Sequence, residues 1–263
     1  MTEAPSILPL ELRAVSFEAG GKRLIKDVTC TFSRGPRTVI IGPNGAGKSL
    51  LLRLCHGLLS PSAGAITWHE TSAAAARQGQ AMVFQRPIML RRSVAANVTY
   101  ALAVKRVPRA ARRAIVEEVL TRTGLRRLAA HPARVLSFGE QQKLALARAW
   151  ALQPQILFLD EPTASLDPAA GHSIEALIQA IHEAGTKIVM TTHDLGQARR
   201  IADEILFLNR GRILEQARAK DFFAGPRNDL AEAFIRGHLL WWRRGTDRRT
   251  GRKYTPTRER AES

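Results

Sequence analysis

Short apolar runs rich in β-branched residues punctuate the chain: LELRAVSF at 10–17, TVII at 38–41, AMVF at 81–84, QILFLD at 155–160, KIVM at 187–190 and EILFL at 204–208. They are too short for helices, and several are bounded by Gly, Pro or Asp, so they predict buried strands. Helical patterns lie between them. Gly47 to His56 is Leu-rich after a glycine turn. Ala110 to Arg122 sets Ile115 with Val119, and Val116 with Leu120, on one face, and Arg112, Arg113 and Glu117 on the other. Strands alternating with helices predict an α/β fold with a largely parallel sheet. The stretch from about 86 to 135 has no convincing strand and reads as an inserted helical lobe.

The length of 263 residues, with 45% hydrophobic side chains, suits one sizeable domain or a domain with a lobe. No run approaches the ~18 apolar residues of a membrane span, and the start lacks the pattern of a secretory signal. Cys30 and Cys55 sit in no CxxC and near no His cluster, which argues against a disulfide scaffold or structural zinc and fits a reducing cytosol. The net charge of +17 is uneven: residues 86–134 hold 12 Lys/Arg against two Glu, and 243–263 hold eight against three acids. Two readings stand. The basic surface attracts nucleic acid, anionic lipid or an acidic protein, or it is a solvated face with a flexible basic tail.

The strand TVII runs into GPNGAGKS and then a Leu-rich helix, so Gly42, Gly47, Lys48 and Ser49 fit G-x-x-x-x-G-K-[ST] in its required context. The segment Gly42, Pro43, Asn44, Gly45, Ala46, Gly47, Lys48, Ser49 and Leu50 is thus the expected phosphate cradle, because its backbone must curl with N–H groups inward. Lys48 is expected on the β- and γ-phosphates and the Ser49 hydroxyl on Mg²⁺. Asp160 and Glu161 end an apolar strand and suit two tasks, metal binding and activation of the attacking water. His193 and Gln85 stand just past other strand ends, which in a parallel sheet converge on the ligand crevice.

Residues 136–167, LSFGEQQKLALARAWALQPQILFLDEPTASLD, resemble the signature and Walker B region of ATP-binding cassette (ABC) ATPases. Leu136, Ser137, Gly139, Glu140 and Gln141 match LSGGEQ; Gln85 resembles the Q-loop glutamine, Ala164 to Asp167 the D-loop, and His193 the switch histidine. The likeness runs from about residue 10 to 225. It implies a P-loop NTPase of the ABC type, with an N-terminal β subdomain and an inserted α-helical subdomain at about 86–135; the chain then reads as a single domain over 1–240, followed by a basic tail at 241–263 whose composition predicts disorder. The resemblance further implies an ATPase in which two cassettes pair head to tail, each ATP lying between one P-loop and the partner's Ser137 and Gly139. Glu161 is then the general base, and His193 contacts the γ-phosphate. Asp160, Ser49 and Gln85 serve Mg²⁺, and Asp167 speaks across the interface.

By the same resemblance the chain is the nucleotide-binding subunit of an importer. It works as a homodimer on the inner face of the cell membrane, with an integral membrane permease and, indirectly, a substrate-binding protein. VFQRPIMLRRSVAANVTYAL and THDLGQARRIADEILFLNRGRILE look most like importers of tungstate or molybdate; other solutes such as phosphate, sulfate or amino acids are the alternative. An ABC ATPase acting on nucleic acid fits less well, since aromatic content is 6% and no aromatics interleave the arginines of the lobe. Three positions depart from the family. Phe138 replaces the first signature glycine, and Leu50 the usual Thr. Ala19 stands where an adenine-stacking aromatic is usual, leaving Phe17 as a substitute or as core. Trp241 and Trp242 either pack back on the core or rest on a membrane or partner.

Overall fold

The computed structural model describes residues 6–69 and 71–237. In chain order the elements are β1 (Leu10–Ala19), β2 (Lys22–Phe32), β3 (Thr38–Ile41), α1 (Lys48–His56), β4 (Ala63–Trp68), α2 (Ala73–Ala76), β5 (Gln80–Val83), α3 (Val94–Val104), α4 (Arg109–Arg122), α5 (Phe138–Trp150), β6 (Ile156–Asp160), α6 (Pro168–Glu183), β7 (Lys187–Thr191), α7 (Leu195–Ile201), β8 (Glu204–Asn209), β9 (Arg212–Arg218), α8 (Ala219–Ala224) and α9 (Asp229–Ile235). The expected basic tail at 241–263, with Trp241 and Trp242, lies outside the described residues.

Two sheets form. The larger runs β5-β6-β7-β3-β8-β9, parallel except for the antiparallel edge pair β8–β9. Its central strands are buried on both faces, which is why they read as unbroken apolar runs rather than alternations. Val39 and Ile41 enter one core with Leu157, Leu159, Ile188 and Met190. Ile40 enters the other with Ile156, Phe158 and Val189, as the period of two requires. The smaller sheet, β2-β1-β4, is antiparallel. Of its strands only β1 is predicted by the apolar pattern. β2 alternates buried and exposed positions, and β4 is half-exposed to exposed, so neither forms an apolar run.

Between β5 and α5 the chain is helical, with α3, α4 and two short 3₁₀ turns. The predicted faces of α4 hold: Val116, Val119 and Leu120 are buried, and Arg113 and Glu117 are exposed. α5 packs Leu144, Leu146 and Trp150 inward and joins this helical stretch to the sheet.

One charge is buried at the end of the sheet away from the β-strand C-termini. Lys187, 1% exposed, donates from Nζ to Pro36 O and to Thr38 Oγ1 (2.9 Å), and Thr38 Oγ1 donates to Glu204 Oε2 (3.1 Å). Burial lowers the Lys187 pKa from its ordinary 10.5 to about 8, although Glu204 and Asp203 pull the other way. An ammonium with a folded pKa below its unfolded one destabilises the fold while it is protonated in both states. That penalty is relieved as pH rises through the folded value towards the unfolded one. Relative to Lys187→Met, the native chain should therefore gain about 2 kcal/mol of stability between about pH 7 and 9.5 in urea titrations. A difference that does not change with pH contradicts this.

Candidate functional site

The order of the large sheet builds the site. β6, β7 and β3 are neighbours, and their register aligns Asp160 with Thr191 and Thr191 with Ile40. The residues that follow these strands therefore meet at one sheet end: the glycine loop after Ile41, Glu161 after Asp160, and His193 after β7.

The loop is held by close backbone approaches. Gly42 has φ 153°, and a Cβ there would fall 2.0 Å from Leu208 O; Gly47 has φ 103°, and a Cβ would lie 2.8 Å from Ile25 Cδ1. Only glycine fits such positions without displacing a neighbour. Ala46 is buried; its N–H donates to Pro43 O (3.1 Å), and its carbonyl accepts from Gly211 N (2.8 Å). Asn44 and Gly45 are exposed, and Leu50 packs partly buried against the core below. Gly47 is the N-cap of α1 and offers no side-chain cap, and the first turn carries no acid. The helix thus presents its free N–H groups and positive end to the loop, the arrangement that binds phosphate.

Lys48 is 6% exposed, with Nζ donating to Gly42 O (2.9 Å) and Pro43 O (3.4 Å), and it lies 3.8 Å from Glu161 Oε1. Burial lowers its pKa; Glu161 and Asp160 oppose that. Asp160 Oδ1 accepts from Ser49 Oγ (2.7 Å) and from Thr191 Oγ1 (3.0 Å), and Thr191 Oγ1 in turn accepts from the Glu161 N–H (3.0 Å). Glu161 leaves the strand at φ 45°, a left-handed value uncommon outside glycine and worth weighing at a site. Its Oε2 accepts from His193 Nδ1 at 3.0 Å. Ser49 and Asp160 together offer hard oxygen donors, the set that suits Mg²⁺.

Other expected residues stand apart from this cluster. Gln85, two residues beyond β5, is exposed and makes no hydrogen bond to the cluster among the described residues. Ser137 caps α5, accepting from Glu140 N (3.3 Å), while the Glu140 carboxylate accepts from Ser137 N (2.8 Å). A Cβ on Gly139 would lie 3.5 Å from Ala170 Cβ, so the start of α5 abuts the start of α6. Asp167 caps α6 by accepting from Ala170 N at 2.8 Å, which commits one of its oxygens within its own chain. Phe17 is half-buried and packs on the core beneath the small sheet. Two residues escaped the sequence reading. Thr191 is signalled only by its register with Asp160. Gln197 links α7 to the segment after β6 through Thr163 Oγ1 (2.8 Å) and to α6 through Glu175 Oε1 (3.1 Å).

The chain is similar to known ATP-binding proteins of transporters. The family model described as ABC transporter matches residues 25–164. Among relatives, the phosphate import ATP-binding protein PstB 2 of Natronomonas pharaonis is 37% identical over 249 residues, 88% of each chain. The methionine import ATP-binding protein MetN of Nocardia farcinica is 37% identical over 89% of this chain and 74% of its own. The tungstate uptake system ATP-binding protein TupC of Peptoclostridium acidaminophilum is 37% identical over 74% of this chain and 92% of its own. A solved ATP-binding cassette, dimeric and in a post-hydrolysis state with ADP and Pi, superposes with TM-score 0.71 at 28% identity, over 80% of this chain and 98% of that one.

Removing the Thr191 hydroxyl leaves the Glu161 N–H without its acceptor and Asp160 with one donor fewer, in a fully buried position. Thr191→Val should lower stability by about 1–3 kcal/mol, and Thr191→Ser should restore most of it in urea titrations. Equal stability of all three chains contradicts the linkage.

Proposed function

The chain belongs to the ABC transporter family and is an ATPase; from that premise we propose that it is the ATP-hydrolysing subunit of an importer whose permease is a separate chain. The observation that carries the reading is the convergence of Lys48, Ser49, Asp160, Glu161 and His193 at one sheet end. Among the described residues no helix is long and apolar enough to cross a membrane.

The roles follow from the contacts. Lys48 exchanges the Gly42 and Pro43 carbonyls for the β- and γ-phosphates of ATP, which the N–H groups of Gly45, Gly47 and the first turn of α1 cradle. Ser49 and Asp160 would hold Mg²⁺, which would neutralise phosphate charge. Glu161 takes the proton of the attacking water as the terminal phosphoryl group leaves ADP. His193, bonded to its carboxylate, fixes the angle of that base and meets the γ-phosphate. Gln85, exposed just beyond β5, would be a further ligand for that metal. Ser137 and Gly139 bind no nucleotide of their own chain; they complete the site of a second copy, with the positive end of α5 facing its γ-phosphate.

A groove suits the permease. It has a volume of about 390 Å³, runs between β5 and α3, and is lined by Phe84, Ile88, Tyr100 and Val104, with Lys105 and Arg148 also contributing. Ile88 is 76% and Val104 64% exposed, and exposed apolar side chains grouped in this way mark an interaction surface. A short amphipathic helix of the permease fits it. For the solute we favour an oxyanion of the tungstate or molybdate type. The tungstate and phosphate relatives support that class, and the methionine relative, at equal identity, supports an amino acid as the second reading.

Loss of the general base typically costs about 10²–10⁴ in rate. Glu161→Gln should bind ATP and turn over at least about a hundredfold more slowly; near-normal turnover contradicts the assignment. Tagged and isolated with ATP from gently solubilised membranes, the same variant should bring two cassettes and a multi-pass membrane protein. Uptake through that permease, competed with tungstate, molybdate, phosphate and methionine, then separates the two solute readings. Salt-sensitive nucleic acid in place of a permease contradicts the importer.

A further inference from the structure

A second cavity of the helical stretch, about 570 Å³, opens between α3 and α4. Its apolar wall comes from Ala95, Val116 and Leu120, and four arginines line it against one glutamate. Two of the arginines have fixed partners: Arg126 pairs with Glu117 at 2.9 Å, and Arg112 donates from Nε to Val107 O at 2.8 Å. Arg109 and Arg113 are exposed, with no acidic partner among the described residues. They stand in the first turns of α4, whose N-cap Pro108 supplies no side-chain hydrogen bond and whose first turn holds no acid. Cations at the positive end of a helix are the reverse of the stabilising arrangement, so the free fold gains nothing from them there.

We propose that this cavity binds the headgroup of an anionic phospholipid in the membrane, with Arg109 and Arg113 on the phosphodiester and the first methylenes against Ala95, Val116 and Leu120. The chemistry is specific in both halves. Guanidinium groups match phosphate oxygens in bidentate geometry, while the apolar wall has no use for a bare inorganic ion. Among the described residues no aromatic side chain lines the cavity, and these residues offer no platform for stacking nucleic acid bases. Position favours the membrane, and this step rests on the importer reading. α3 lines the permease groove with Tyr100 and Val104 and the basic cavity with Ala95 and Thr99. A helix is only ~10 Å across, so a permease seated in the groove brings the cavity close to the cytoplasmic leaflet. The anionic surface there draws basic side chains within a Debye length of about 8 Å.

The test uses the full purified chain without any permease, so its outcome is independent of whether the importer reading holds. Co-sedimentation is measured with vesicles of phosphatidylcholine alone and of phosphatidylcholine with phosphatidylglycerol. The chains are the native protein, Arg109→Glu/Arg113→Glu, and Arg34→Glu/Lys220→Glu, which makes the same change in net charge elsewhere on the surface. The native chain and the second variant should bind the phosphatidylglycerol vesicles. The Arg109/Arg113 variant should bind them at least tenfold more weakly with unchanged basal ATPase activity, and millimolar inorganic phosphate should not displace the native chain. Equal loss in both variants, no loss in either, displacement by inorganic phosphate, or tighter binding of a single-stranded oligonucleotide through the same arginines overturns the proposal.

Discussion

One carboxylate oxygen organises the site. Asp160 Oδ1 accepts from the P-loop serine on one side and from Thr191 on the other, and so ties the ends of three neighbouring strands together. The contact exists only because the chain places β6 beside β7 and β7 beside β3. Moving β6 away from β7 would take the Thr191 donor from a buried carboxylate, and a buried carboxylate short of donors costs more than an exposed one. Through Thr191 the same atom also fixes the Glu161 backbone, and so the position of the base relative to His193.

The P-loop is braced from its far side as well. Gly211, in the turn between β8 and β9, donates to Ala46 O (2.8 Å) and accepts from Lys26 N (2.8 Å). A Cβ on it would lie 2.1 Å from Leu24 O. The small antiparallel sheet is thus a wall of the cradle, holding β2 against the loop. Helix α5 performs the matching task for the signature segment: its buried face belongs to the larger core, while its capped N-terminus stays at the surface, available to a second copy.

The parts of this arrangement that depend on local spacing were legible in the sequence. The central strands are buried on both faces and so announce themselves as apolar runs, and the P-loop and signature are contiguous strings. What depends on pairing was not. Thr191 looks like any threonine closing a strand until its register with Asp160 is known. β2, β4 and the edge strand β9 carry too little contiguous apolar surface to be recognised alone. Asp167 reads from its motif as an interface residue, yet its nearest use is to cap α6, a local role that any Asp before Pro can fill.

If the Asp160 oxygen is the point on which nucleotide and metal binding turn, the most direct measurement is calorimetric titration of ATP into native and Asp160→Asn chains, with and without Mg²⁺. The account predicts that the substitution leaves metal-free ATP binding nearly intact, since Lys48 and the helix end remain, and abolishes the tightening that Mg²⁺ brings. A variant that responds to Mg²⁺ as the native chain does would contradict it.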